Sequence, residues 1–351
     1  MRKFTILMLL FIIFVIGCSN DKDKAEESAP KETLPKEKEI EQAEPESTGV
    51  FPLTGIATNE ETNQRPVGVM INNHPAARPQ SGLSQADIVF EILAEGGITR
   101  FLALFQSEQP EIVGPVRSAR EYYFELAAGY DALYVFHGAA NFVYDMIRDR
   151  GIENLNGAIH DNDGYLFKRE SFRKAPHNSY LLYDAVYDVA ESDGYDIIST
   201  IEPLHFLEDN KTLDGETANQ IIVKYPVRND ADVVEYSYDQ TTEKYTRFES
   251  QNQTVELDTE EPIQIDNLFI VETYHEVIDN EGRRRVDLQD RGQAYLFQKG
   301  KIQQLEWKNE NGRIIPIKDE EPVGFVPGKT WINVVPSNPG LEQSVIFSDG
   351  Q

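Results

Sequence analysis

Side chains able to hold an anion gather in three short stretches: Arg117, Ser118 and Arg120; His137 with Asn141; and His177 with Asn178. Arg100 stands ahead of them in the chain. Guanidinium forks and imidazole N–H groups are the donors that phosphate and carboxylate groups accept from. Ser118 stands three residues before Glu121, the spacing of a capping box, which starts a helix at Ser118 and leaves its first backbone N–H groups facing outward. Arg117 and Arg120 then lie at the positive end of the helix dipole, where each cation is disfavoured by roughly 0.3 to 1 kcal/mol. A bound anion would reconcile the free N–H groups, the dipole and both arginines. Pairing with carboxylates is the other reading, because the chain has 60 Asp and Glu against 33 Lys and Arg and Glu121 and Glu125 are near neighbours. His177 and Asn178 follow Pro176 and suit ligand hydrogen bonding, or equally the capping of a helix over Tyr183–Glu191.

General acid and base work on a glycan needs two carboxyl groups flanking the bond. Glu91 and Glu95 lie close to a turn at Gly96 and are the candidates, with His137 as a third; surface or arginine-pairing roles are the alternative for both glutamates. No glycine-rich phosphate loop, GxSxG elbow or HExxH helix is present. The six histidines are scattered, so neither a metal nor a cofactor is expected. His160 to Gly164 lacks the acidic positions of an EF-hand loop and reads as a tight turn.

The elements that must position these residues follow from apolar periodicity. Strands are expected over Arg65–Asn72, Asp87–Leu93, Arg100–Phe105 and Ala132–Phe136, and helices over Ser118–Ala128 and from about Ala139 to Arg148. Strand, helix, strand, helix suggests a βαβ unit; were the last two strands parallel, the loop before Arg117 and the turn at His137 would share the edge where α/β sheets place ligands. Asn154 to Lys174 reads as a long loop. From about Ile221 short alternating runs separated by turn residues indicate an antiparallel β region, with a hairpin turn at Lys299–Gly300. Tyr236, Tyr238, Tyr245, Trp307 and Trp331 suit its core better than a sugar platform. The expected fold is an α/β (α+β) N-terminal domain with a mixed sheet and flanking helices over residues 51–208, a separate β-rich C-terminal domain over 215–340, and a loose tail over 341–351.

Arg2 and Lys3 precede an apolar run from Phe4 to Ile16, too short to span a bilayer comfortably and built as a signal peptide over residues 1–17. The run closes on Val15, Ile16, Gly17 and Cys18, which resembles the lipobox of bacterial lipoproteins, whose cysteine is acylated and becomes the mature N-terminus. Cys18 is the only cysteine, so no intramolecular disulfide forms and no thiol remains for catalysis. Residues 18–50, rich in Lys, Glu, Asp, Pro and Ser, are expected to be a solvated acidic tether. The protein would then be held to the extracytoplasmic face of the cell membrane through its lipid. A formal charge of -27 argues against a nucleic-acid partner.

The runs RPVGVMINNHPAARPQSGLSQADIVFE, EGGITRFLALF, GPVRSARE and APHNSY resemble the YerB-type family of lipoproteins, over essentially the whole chain beyond the tether. The resemblance implies a lipobox, a tether, an α/β first domain and a β-rich second one, with Asn72 standing where many members have Asp. It implies no reaction, no cofactor and no oligomeric state. Three function classes follow: an envelope protein binding an anionic cell-wall component through Arg100, Arg117, Ser118, Arg120, His137, Asn141, His177 and Asn178; a wall-glycan enzyme using Glu95 or His137; or a scaffold without a small ligand.

Overall fold

The computed structural model describes residues 49–208, 211–226 and 233–350. The signal peptide over 1–17, Cys18 and the tether up to residue 48 lie outside the described residues. In the first half of the chain, β1 (Val67–Asn72), β2 (Ile88–Leu93) and β3 (Thr99–Phe105) are buried at every position. Such continuous apolar runs belong to strands covered on both faces. They are followed by α1 (Glu121–Gly129), β4 (Leu133–Phe136), α2 (Asn141–Asp149) and β5 (Asn154–Asn156). Then come β6 (Phe167–Arg169), β7 (Ser179–Leu182) and α3 (Val186–Ser192). The stretch expected to be a long loop thus contains two short strands.

The second half supplies β8 (Gln220–Lys224), β9 (Val233–Asp239), β10 (Lys244–Glu249), β11 (Asn267–Thr273) and β12 (Arg291–Gln298). β13 (Lys301–Glu310), β14 (Arg313–Lys318), β15 (Thr330–Pro336) and β16 (Val345–Ser348) complete it. Lys299 and Gly300 both take positive φ between β12 and β13, as a tight hairpin turn requires.

One twelve-stranded sheet runs through both halves, and its central order is β14, β13, β12, β11, β15, β2, β3, β1, β4, β5. β15 pairs in parallel with β11 on one side and with β2 on the other. A strand from the end of the chain therefore welds the two halves edge to edge. Both hydrophobic clusters draw on both halves: α1 and α2 cover one face of the sheet, while α3 and the smaller sheet of β8, β9, β10 and β16 cover the other. The described residues of both halves fall in one compact unit. The mixed sheet, its flanking helices and the β-rich second half are as the sequence indicates. Of the expected core aromatics Tyr236, Tyr245, Trp307 and Trp331 are buried, and Tyr238 is half-buried.

The loose tail is also corrected. Leu341–Ser344 forms a helical turn and β16 pairs with β8 from Val223 to Gln220, because Leu341 and Val345 bury apolar side chains against the sheet.

Candidate functional site

β1, β4 and β5 are mutually parallel neighbours, and their carboxyl ends carry Asn72, His137 just beyond Phe136, and Asn156. β3 runs antiparallel to β1, so its first residues, not its last, reach this end: Arg100 lies opposite Asn72. The condition of parallel β3 and β4 is therefore not met. Arg117 and His137 come together for another reason. Residues Pro115 to Ala119 are inserted between the carboxyl ends of β1 and β4, as Arg117 N–H donates to Met70 O at 2.9 Å and Asn72 N–H to Pro115 O at 2.9 Å. On the other side His137 N–H donates to Arg117 O at 2.9 Å and Ala119 N–H to Gly138 O at 3.0 Å.

This pairing overrides the capping box. With Arg117 and Ala119 extended between two strands, Ser118 cannot begin a helix; its Oγ donates to His137 O at 3.3 Å. The N-cap is Arg120, extended at φ -139 and ψ 154, with no side-chain cap bond.

The three arginines are not equivalent. Glu95 accepts from Arg100 Nη2 at 2.7 Å and from Arg120 Nε, and so holds both guanidiniums. Burial pushes the Glu95 carboxyl up, but Arg120 and Arg100 outweigh it and hold it below the usual carboxylate range. Arg100 also donates to Ser118 O at 3.2 Å. Arg117 is half-buried; its guanidinium has no hydrogen-bond or ion-pair partner among the described residues, and its Nε is fully enclosed. Burial and the neighbouring charges of Arg100 and Arg120 lower it to about 10. Three guanidiniums against one carboxylate leave two positive charges uncompensated in this cluster.

Two imidazoles face the same side. His177 Nδ1 meets Asn72 Nδ2 at 2.8 Å, and Asn72 Oδ1 already accepts from His74 N–H at 3.0 Å, so the amide nitrogen donates and His177 carries its proton on Nε2. His74 Nδ1 accepts from Ala76 N–H at 3.1 Å, which likewise places its proton on Nε2. The two rings stack with centroids 4.5 Å apart. Burial, with His74 and the Arg117 guanidinium beside it, lowers His177 and favours the neutral ring.

His137 differs. A guanidinium can only donate, so the 3.3 Å approach of Arg169 Nη2 makes His137 Nε2 an acceptor and puts the proton on Nδ1, which donates to Ser179 Oγ at 2.7 Å. Ser179 is therefore not activated by this ring. Gly157 makes the arrangement fit, since a Cβ there would lie 2.5 Å from His137 Nδ1. Arg169 also donates to Asn178 Oδ1 at 2.9 Å and pairs with Asp161 at 2.6 Å. Asn178 is thus committed to positioning Arg169. Asn141 opens α2 on the exposed surface with no side-chain hydrogen bond among the described residues.

The carboxylate pair is corrected as an acid and base. Glu91 is fully buried, accepting from Arg247 Nη2 at 3.1 Å, Trp331 Nε1 at 2.9 Å and Thr99 Oγ1 at 2.9 Å. No substrate reaches it. Glu95 is ionised and committed to two arginines. Sequence reasoning passed over His74, Asn72 as the amide that orients His177, and Arg169; the run Asn72-Asn73-His74-Pro75 at a strand end is the signal that points to the first two.

The profile described as protein of unknown function (DUF3048) N-terminal domain matches residues 53–196, and the corresponding C-terminal domain profile matches residues 221–332. The YerB protein of Bacillus subtilis (strain 168), which carries the name of a lipoprotein, is 44% identical over 341 residues, covering 96% of each chain. The crystal structure of YerB from Bacillus subtilis superposes with a TM-score of 0.79 at 46% identity, covering 86% of this chain and 100% of that one.

Proposed function

The chain belongs to the DUF3048 family, and on that premise we propose that it is an envelope lipoprotein, anchored through Cys18 on the extracytoplasmic face, that binds an anionic cell-wall component at Arg117. The observation that carries this reading is the unpartnered, half-buried Arg117 guanidinium, whose charge neighbours are Arg100 and Arg120 and which acts in turn on His177. In a chain of formal charge -27, a local excess of two positive charges is costly to keep unless an anion visits it. Arg117 and the two imidazoles supply donors on side chains already fixed by backbone pairing and by Asn72, so little ordering is required on binding. The acid–base reading is weaker, because Glu91 is enclosed, Glu95 is ionised and His137 spends both ring nitrogens on Ser179 and Arg169.

Phosphate at constant ionic strength is expected to raise the denaturation midpoint of the soluble protein, by mass action on the folded state, as its concentration passes its dissociation constant. Chloride should not do so. An equal response to both salts would refute a specific anion site.

Anchoring is tested separately. No helix among the described residues is long and apolar enough to cross a membrane, and the YerB relative is named as a lipoprotein. Cys18→Ala is expected to move the protein from the membrane fraction to the soluble fraction. Complete retention on membranes after a salt wash would exclude the lipid as anchor.

A further inference from the structure

His177 stands between two guanidiniums that no carboxylate answers. On one side is Arg117: His177 Nδ1 meets the amide of Asn72, and Asn72 N–H donates to Pro115 O, two residues before Arg117. On the other side is Arg173. His177 stacks on His74, and His74 caps the helical turn Pro75–Ala77. Arg173 donates to Ala77 O at the end of that turn and to Pro79 O beyond it. Every step from Arg117 to Arg173 is thus a hydrogen bond, a ring stack or a neighbouring residue. Both guanidiniums lie close enough to lower the His177 ring.

Arg173 departs from the earlier cations of its own segment. Lys168 pairs with Glu170 at 2.7 Å and Arg169 with Asp161 at 2.6 Å. Arg173 has no ion pair among the described residues, and its side chain bonds only the two backbone carbonyls. A carbonyl satisfies an N–H group without cancelling a charge. A guanidinium also has five N–H donors, so Arg173 keeps both its charge and donors to spare. Burial holds it below the usual arginine value, as it does Arg117. Lys174, the next residue, is exposed, and its ammonium has no partner among the described residues.

We infer that the anion site runs from Arg117 past the stacked His74 and His177 to Arg173, and that its ligand is a linear chain of phosphate groups, not a single anion. This ligand extends the anion-binding reading above, on which it rests, by a second contact. A lone anion at Arg117 leaves Arg173 and Lys174 unmet. A second phosphate on the same chain reaches them at high effective concentration, so affinity rises although no single contact is stronger than the first. Charge-assisted bonds from both guanidiniums then fix the two groups.

Titration calorimetry at constant ionic strength with inorganic phosphate, pyrophosphate and tripolyphosphate separates the two readings. Tripolyphosphate is expected to bind about tenfold or more tightly than inorganic phosphate, the equivalent of about 1.4 kcal/mol. Arg173→Gln should lose most of that gain and keep its affinity for inorganic phosphate, whereas Arg173→Lys, which preserves the charge, should retain most of it. Unfolding midpoints of both variants show whether the turn at Ala77 survives, and the comparison of the three anions on the parent protein decides even where a variant fails to fold. Inorganic phosphate binding with no gain from the longer chains overturns the second contact while leaving the anion site standing. So does a gain that Arg173→Gln leaves untouched, or one that both variants lose equally. Absence of binding by all three anions overturns both readings.

Discussion

Arg247→Met is expected to destabilise the protein by roughly 3 to 5 kcal/mol, the cost of stranding a partner when a buried ion pair is broken from one side. Arg247 is fully buried, bonds Glu91 through Nη2 and Glu249 and Thr254 through Nη1, and lies over the rings of Trp331 and Phe101 at 4.8 and 5.3 Å. Burial pushes the Glu91 carboxyl up, and Arg247 pulls it back. Every bond to the Glu91 side chain comes from a donor: Thr99 Oγ1 itself accepts from Asn73 Nδ2 at 2.8 Å and so gives its own proton to Glu91. The network is built for the carboxylate.

Burial already holds the Glu91 pKa above its unfolded value, and without Arg247 the carboxylate stays buried beside Glu249 and its folded pKa rises further. A group with a raised folded pKa binds more protons folded than unfolded, so its contribution to stability falls as pH rises. The deficit of Arg247→Met relative to the parent should accordingly be smaller at pH 5 than at pH 8. Adding Glu91→Gln should recover part of it, and a double-mutant cycle from denaturant unfolding gives the coupling. Additive single effects with no pH dependence would contradict a paired, ionised Glu91.

That network shows why part of the architecture was hidden in the sequence. Glu91 and Arg247 are 156 residues apart, and no local pattern announces such a partner. β15 was legible as a strand, and its seven buried residues carry the unbroken apolar pattern of a parallel central strand. Its antiparallel neighbours in sequence nevertheless assign it to the second half, whereas its position between β11 and β2 is set by the sheet as a whole. β1, β2, β3 and β4 were readable from periodicity alone, as was the hairpin at Lys299–Gly300.

The cluster was half legible in the same sense. Arg117, Arg120, His137 and His177 are visible as donors, but their inequality is not. Glu95, 25 residues from Arg120 in the chain, pairs with two arginines and not the third. The helix start was misplaced because backbone pairing of Arg117 with Met70 and of Ala119 with Gly138 outweighs a capping box worth about 1 kcal/mol.

That inequality makes the two arginines separable by experiment. Arg117→Ala removes a cation that has no partner and that Arg100 and Arg120 repel, so the denaturation midpoint without phosphate should stay where it is or rise slightly. If Arg117 makes one charge-assisted contact to the anion, worth roughly 1.5 to 3 kcal/mol, phosphate affinity should fall roughly 10- to 150-fold. Arg120→Ala should behave in the opposite way. It takes from Glu95 a partner buried at the start of α1 and leaves a carboxylate satisfied by Arg100 alone, which should destabilise the protein by roughly 1.5 to 3 kcal/mol. Because Arg120 is spent on Glu95, its loss should weaken phosphate binding less than the loss of Arg117 does. Unfolding curves and phosphate titrations of both variants test the division of labour directly. An Arg117→Ala protein destabilised by several kcal/mol with its phosphate affinity intact would make Arg117 part of the framework and remove the anion site.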